Sequence, residues 1–259
     1  MTVRTEIEAG VGRLLLDRPD KRNAMSLAMW RGLPTALRSL VDDPQVRVIV
    51  VAGVGGHFCA GADIDDLLAG PDEQDPMRPV READLAAQRA LLDCPKPTVA
   101  VIRGSCIGGG LEIAVSCDLR VAASSARLGI TPARLGVAYA PTGVRTLLDL
   151  VGPGATRRLL MTGALIGAEE ALRLGLVEHL ATEEELDGVV AALLSDLCAR
   201  SALTAVAVKE TVRLLLQGED PEPAARARCL ETIACGELQE GVRAFQERRP
   251  PLFPWRHQA

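Results

Sequence analysis

Two glycine-rich turns and one isolated acid are the residues of this chain whose types and spacing could do chemistry. The segments Cys59-Ala60-Gly61-Ala62-Asp63-Ile64 and Gly108-Gly109-Gly110-Leu111-Glu112 stand about forty-five residues apart, each after a β-rich run and before a helical one. Such turns present free backbone N–H groups, and the first-turn N–H groups of a helix have no intrahelical acceptor. One donor from each turn, converging on a single oxygen, would stabilise the oxyanion of an enolate; one such donor is worth roughly 3–4 kcal/mol of barrier in other enzymes. Glu112 is a lone acid between Leu111 and Ile113. Desolvation there raises a carboxyl pKa and suits the group to proton transfer near neutral pH. Two plainer alternatives stand beside these readings. The glycines serve only tight turns or close packing, or the carboxylate is satisfied by N–H groups near a helix start. No Gly-x-x-x-x-Gly-Lys-Ser/Thr occurs, which excludes a P-loop, and Phe58 occupies the third-glycine position after Gly53-Val54-Gly55, so the dinucleotide fingerprint fails as well.

The turns need strands before them and helices after them. Val46 to Ala52 is short, β-branched and closed by Gly53 and Gly55-Gly56, and Pro97 to Ile102 is built the same way; both read as buried strands. Residues 3–17 alternate around Gly10 and Gly12 like a strand pair, and Leu27 to Val41 is helical in pattern despite Pro34. Ala69 to Pro79 is polar and proline-rich, a mobile loop that either caps a ligand or links to a helix from Arg81 to Leu92. Leu111 to Cys117 fits a buried helix, and β-rich stretches follow at Leu119 to Ala122 and Arg127 to Ile130. Repetition of strand, strand and helix predicts stacked supersecondary units, although no repeat of fixed length is present. Beyond Ala181 the pattern is helical: an N-cap at Thr182 leading to Arg200, then Ser201 to Gln217, then Pro223 to Glu247.

Composition narrows the functional classes. A chain of 259 residues, 48% hydrophobic, fills a sizeable core, and two Trp, three Phe and one Tyr make that core aliphatic. The net charge of −5 argues against general nucleic-acid affinity while permitting local basic patches for a phosphorylated ligand. Residues 1–8 lack the regions of a signal peptide, and no uncharged apolar stretch approaches membrane-spanning length, so the expectation is a cytoplasmic protein without membrane association. The seven cysteines contain no Cys-x-x-Cys pair and read as buried reduced thiols, and His57, His179 and His257 have no metal-ligand spacing, so no metal is expected.

Four segments carry a family resemblance: Leu16 to Met25, Phe58 to Ile64, Gly104 to Asp118, and Ala168 to Val177. In order and spacing they resemble the enoyl-CoA hydratase/isomerase (crotonase) superfamily, with similarity from about residue 3 to about residue 253. The resemblance implies an α/β fold: a crotonase-type ββα spiral over residues 1–195 that binds acyl-CoA, and a C-terminal helical trimerisation region over 196–259. It further implies a homotrimer or hexamer, an acyl-CoA thioester substrate, and no cofactor beyond the coenzyme A within that substrate. The oxyanion donors would be the N–H groups of Ala62 and Gly109, with Glu112 as catalytic acid/base. Arg18, Lys21 and Arg22, with Ala24 behind them, resemble the segment that meets the adenine and phosphates. Phe245 and Arg248 match a tail that reaches a neighbour's ligand in many members. Ala60, Asp63, Ile64, Gly108 and Pro132 complete the expected binding set as flanks of the donors and of the second-acid position, with Asp63 and Asp118 more structural in character.

The chain departs from the pattern at one decisive point. Hydration in this family typically uses two glutamates, and Pro132 falls at the second position, where no proton can be exchanged. A one-acid mechanism that shuttles a proton between carbons of the acyl chain remains chemically open. The stretch Thr131 to Tyr139 resembles a subgroup that includes methylmalonyl-CoA decarboxylase, which would put Tyr139 in the pocket, although that pattern carries a histidine where this chain has Ala62. Three readings therefore stand: a hydratase/isomerase-type enzyme using Glu112, a malonyl-type decarboxylase, or an acyl-CoA-binding protein without hydratase activity. RNA binding, reported for some superfamily members, finds little support in the charge and aromatic content.

Overall fold

A computed structural model describes residues 3–257. The chain begins β1 (Val3–Glu8), β2 (Val11–Leu16), α1 (Leu27–Asp42), β3 (Val48–Gly53), α2 (Ile64–Leu67) and α3 (Arg78–Leu92). It continues β4 (Thr98–Ile102), β5 (Ser105–Ile107), α4 (Gly109–Val115), β6 (Leu119–Ala123), β7 (Arg127–Gly129), α5 (Pro132–Leu135) and α6 (Pro141–Thr162). Then come β8 (Ile166–Gly167), α7 (Ala168–Arg173), β9 (His179–Ala181), α8 (Leu186–Ala199), α9 (Ala202–Gln217), α10 (Glu222–Ala234) and α11 (Glu237–Gln246).

Six strands form one sheet in the order β1-β2-β3-β4-β6-β9, parallel except for the β1–β2 hairpin. A second sheet, β5-β7-β8, collects the short strand that follows each long one. Isolated bridges Cys59↔Cys106 and Met25↔Ala62 extend this second layer to the first glycine turn. The result is the expected ββα spiral: a long strand, a short one, then a helix. Strands buried on both faces read as continuous apolar runs, as in Val48-Ile49-Val50-Val51 and in β4, whose five residues are all buried. One face packs on α1, which buries Met29, Trp30, Leu33, Leu37 and Leu40 at helical spacing, and on α3. The other face lies under α8 through Leu186, Val190 and Leu194.

Several boundaries differ from expectation, each for a local reason. β3 begins at Val48, after the turn at Pro44-Gln45. α3 begins at Arg78 because Pro79 lies in its first turn, where no backbone N–H is needed. The 22-residue α6 was not predicted; Gly152, with φ of 72°, and Pro153 break its periodicity. The segment 223–247 is two helices, separated where Gly236 turns left-handed at φ of 85°. Thr182 does form a reciprocal capping pair, its Oγ1 accepting from Glu185 N at 3.3 Å, with the regular helix counted from Leu186. The expected division at 195/196 falls inside α8, whose Leu197 and Cys198 still pack against the sheet. Among the described residues no single helix is long and apolar enough to cross a membrane; α8 with α9, the one pair of suitable composition, bends by 101°.

One buried cation fixes α4 to the large sheet. Arg120, 1% exposed, donates to Cys117 O at 2.7 Å and Leu176 O at 2.9 Å, and its guanidinium pairs with Glu178, which also accepts from Arg120 N at 2.6 Å. Carbonyls at the end of α4 are thereby satisfied, and the lead-in to β9 is tied to β6. Replacing Glu178 by Ala strands the guanidinium, at a cost of about 2–3 kcal/mol, since the carboxylate itself is partly solvated. Urea denaturation should show this as a lower midpoint; an unchanged midpoint would mean that the carbonyls alone hold Arg120.

Candidate active site

The first glycine turn is held by a buried asparagine. Asn23 is fully buried with φ of 58°, a left-handed conformation that Asn tolerates better than most residues. Its side chain accepts from Arg18 N at 2.9 Å and donates to Val54 O at 3.0 Å and His57 O at 2.7 Å, joining the loops after β2 and β3. Met25 then brackets the turn: Met25 N donates to Gly61 O at 2.8 Å and Asp63 N donates to Met25 O at 2.9 Å. Between these bonds the N–H of Ala62 has no acceptor among the described residues.

The second turn is fixed in the same manner. Gly108, at φ of 55°, donates its N–H to Gly129 O at 2.8 Å and precedes the first residue of α4, Gly109, whose N–H is likewise without an acceptor. The two turns touch. Cys59 N donates to Ser105 O and Ile107 N to Cys59 O, and a Cβ on Gly108 would lie 3.7 Å from the Gly61 Cα. A Cβ on Gly109 would lie 2.7 Å from Trp30 Cζ2, so the indole of α1 forms the floor beneath this donor and only glycine fits. The Trp30 Nε1 is buried without a partner.

Glu112, in the first turn of α4, is 5% exposed, and its Oε2 would lie 3.5 Å from that same Gly109 Cβ, which puts its carboxyl beside the donor. α6 covers it: a Cβ on Gly143 would sit 3.0 Å from Glu112 Oε1 and 2.7 Å from Tyr139 Cε1. From α3, Gln88 and Asp84 face the same space, the Gln88 Nε2 donating to Asp84 Oδ1 at 3.0 Å. Burial pushes the Glu112 carboxyl up to about 8, and the negative charge of Asp84 adds to the rise; nearby Tyr139 and Gln88 oppose it. Asp84 is raised to about 6, again by burial, with the Gln88 bond opposing. The Tyr139 and Gln88 side chains lie close to Glu112, and Tyr139 Oη and Gln88 Oε1 are buried without partners among the described residues.

The remaining expected residues divide into three groups. Arg18 turns inward, its guanidinium 2.5 Å from Asp63 Oδ2, and holds the Asp63 carboxyl below the usual range; this charge is committed to bracing the turn. Lys21 and Arg22 remain exposed, with Ala24 half-buried behind them and Arg22 O accepting from Ala60 N. Ile64 is 61% exposed, and Pro132 is buried at the start of α5. Phe245, 85% exposed near the end of α11, and Arg248 are not brought to Glu112 within one chain. Sequence reasoning missed Asp84 and Gln88. A signal existed, since Val80, Ala83, Ala87 and Leu91 form a buried stripe at helical spacing and both polar residues fall on it. All seven cysteines are free; burial pushes Cys59, three residues before Ala62, up to about 12.

Acceptor-free N–H groups beside a desolvated carboxyl form an arrangement suited to enolate chemistry. A sequence model of the enoyl-CoA hydratase/isomerase family matches residues 6–256. The (E)-benzylidenesuccinyl-CoA hydratase of Thauera aromatica is 30% identical over 260 residues, covering 98% of this chain and 99% of that protein. The peroxisomal Delta(3,5)-Delta(2,4)-dienoyl-CoA isomerase of Arabidopsis thaliana is 29% identical over 268 residues, covering 97% and 95%. Among solved structures, an enoyl-CoA hydratase/isomerase family protein from Hyphomonas neptunium superposes with a TM-score of 0.93 at 34% identity, covering 99% of this chain and 98% of that one. An enoyl-CoA hydratase from Bacillus anthracis gives 0.89 at 28%, covering 98% and 99%. Hydratase and isomerase relatives stand at similar distances, so the likeness defines a family and leaves its reaction to the site. By fold, motif and sequence, this chain belongs to the enoyl-CoA hydratase/isomerase family of the crotonase superfamily.

Proposed function

We propose that the chain processes acyl-CoA thioesters by receiving the thioester carbonyl oxygen between the N–H groups of Ala62 and Gly109 and moving a proton at the acyl chain with Glu112. The observation that carries this reading is the desolvated Glu112 carboxyl lying against Gly109. An oxygen held by that N–H brings the thioester α-carbon toward the only acid of α4. Charge that develops on the oxygen meets two preorganised donors, which lowers the barrier to enolate formation. Exposed Lys21 and Arg22 suit the phosphates of the CoA moiety, and coenzyme A enters as part of the substrate.

A malonyl-type ester fits less well. Its free carboxylate would be a third acidic group beside Glu112 and Asp84, with the unpartnered Tyr139 hydroxyl as the donor at hand. The balance of charge favours an uncharged acyl chain. Assembly into a trimer or hexamer belongs to the same reading, supported by the apolar side chains that α9, α10 and α11 leave in solvent: Leu215, Leu230, Ile233 and Val242 are 45–59% exposed.

Three outcomes are expected. Glu112→Gln should slow exchange of the butyryl-CoA α-proton in D2O at least about 100-fold while leaving affinity for the ester nearly intact; undiminished exchange would remove Glu112 as the base. The raised Glu112 pKa also sets a stability signature. The folded carboxyl binds its proton more tightly than the unfolded one, so its contribution is fully present below the unfolded value near 4.5 and is lost as pH rises toward about 8. Denaturation midpoints of wild type should therefore fall relative to those of Glu112→Gln across that window, at up to about 1.4 kcal/mol per pH unit. Parallel midpoints would show the carboxyl to be solvated. Light scattering should give a mass near three or six times 27.5 kDa, and a monomer at micromolar concentration would overturn the assembly reading.

A further inference from the structure

We infer that Asp84 supplies the second carboxyl group that the chain lacks at Pro132, acting as the general base that activates water for addition to a 2-enoyl-CoA while Glu112 acts as the acid. The inference rests on the reading above, in which Ala62, Gly109 and Glu112 handle the thioester.

The geometry brings two carboxyl groups to one buried amide from different elements. Glu112 projects from α4 under Gly143 and Tyr139, and Asp84 projects from α3, which packs against α4. Gln88 lies between them. Its side chain is 1% exposed, its Nε2 fixes Asp84 Oδ1 at 3.0 Å, and its Oε1 is buried with no donor facing it. The Gln88 amide also lies close enough to Glu112 to oppose the rise of its carboxyl pKa, so one buried side chain stands beside both acids. Asp84 is half-buried, unlike Glu112, so water reaches it. The inward stripe of α3 is otherwise apolar apart from Gln88, with Val80, Ala83, Ala87 and Leu91, and among the described residues the only hydrogen bond to the Asp84 side chain comes from Gln88.

The environments divide the labour. Burial raises both carboxyls, Glu112 to about 8, with the Asp84 charge adding to the rise, and Asp84 to about 6, so a single proton held by the pair rests on Glu112. Between those values one is an acid and the other a carboxylate, the separation that acid and base roles require. The charged and titratable groups facing the pair are each other, Tyr139 and, toward Glu112, the Cys59 thiol, whose burial keeps it neutral.

The step balances as follows. Asp84 takes one proton from water as the water oxygen bonds to Cβ. The Cα=Cβ electrons pass to the thioester oxygen, held by the Ala62 and Gly109 N–H groups. The enolate then takes the Glu112 proton at Cα, giving a 3-hydroxyacyl-CoA, and transfer of a proton from Asp84 to Glu112 through solvent restores both groups.

The test pairs two assays on wild type, Asp84→Asn, Asp84→Ala and Glu112→Gln: water addition to crotonyl-CoA and cinnamoyl-CoA, and α-proton exchange of butyryl-CoA in D2O. Both Asp84 variants should lose hydration by about 100-fold or more and keep exchange within about tenfold of wild type, whereas Glu112→Gln loses both. Wild-type hydration kcat/KM should be bell-shaped, rising through about 6 and falling through about 8, and Asp84→Asn should lose the acid limb. Hydration undiminished in Asp84→Asn overturns the assignment, as does loss of exchange in both Asp84 variants. Wild type that exchanges the α-proton but hydrates neither ester overturns it while leaving Glu112 in place; wild type that does neither overturns both readings.

Discussion

A backbone N–H left without an acceptor costs roughly 1–3 kcal/mol where it is buried, a cost that falls on buried Gly109 and less fully on half-buried Ala62. Much of the surrounding structure makes the cost bearable. Met25 bonds to the residues on either side of Ala62, Asn23 joins the loops that feed it, and the Arg18–Asp63 pair braces its far end. On the other side Gly108 is bonded to Gly129, and the Trp30 ring fills the space under Gly109. These bonds hold both turns in the conformation that leaves the two N–H groups without an acceptor among the described residues. Rigidity of this kind is what separates a preorganised site from a pair of loops with free N–H groups.

The electrostatics follow from the same geometry. An α-helix that begins at Gly109 must place the side chain of its fourth residue close to its first, so Glu112 is carried to the donors by helical geometry. α6 then removes it from water at Gly143, where the lack of a side chain lets the helix close over the carboxyl. The acid is neutral because of where it is buried, and Asp84 is less perturbed because α3 leaves it partly open. The graded burial thus raises the Glu112 carboxyl further than that of Asp84.

What the sequence made legible was local chemistry, and what it concealed was tertiary. The glycine turns and the acid after them lie within one strand–turn–helix unit, so their positions follow from the order of residues. Arg18 read as a phosphate ligand because its type and its basic neighbours are visible, whereas its inward turn to Asp63 depends on how two distant loops meet. Asp84 lay on a readable apolar stripe, yet its nearness to Glu112 exists only once α3 packs on α4. α6 stayed hidden because Gly152 and Pro153 interrupt its pattern, and Gly236 divides what looked like one terminal helix into two.

The buried cysteine at the head of the first turn also bears on substrate survival. A thioester is vulnerable to any thiolate nearby, which would take the acyl group and release free coenzyme A. Cys59 stands three residues from the N–H of Ala62, but burial pushes its pKa up to about 12 and so favours the protonated thiol near neutral pH. The strand bridge to Cys106 that joins the two turns keeps this sulfur in the apolar layer. The packing that aligns the two turns also keeps this sulfur a poor nucleophile, as the proposed thioester substrate requires.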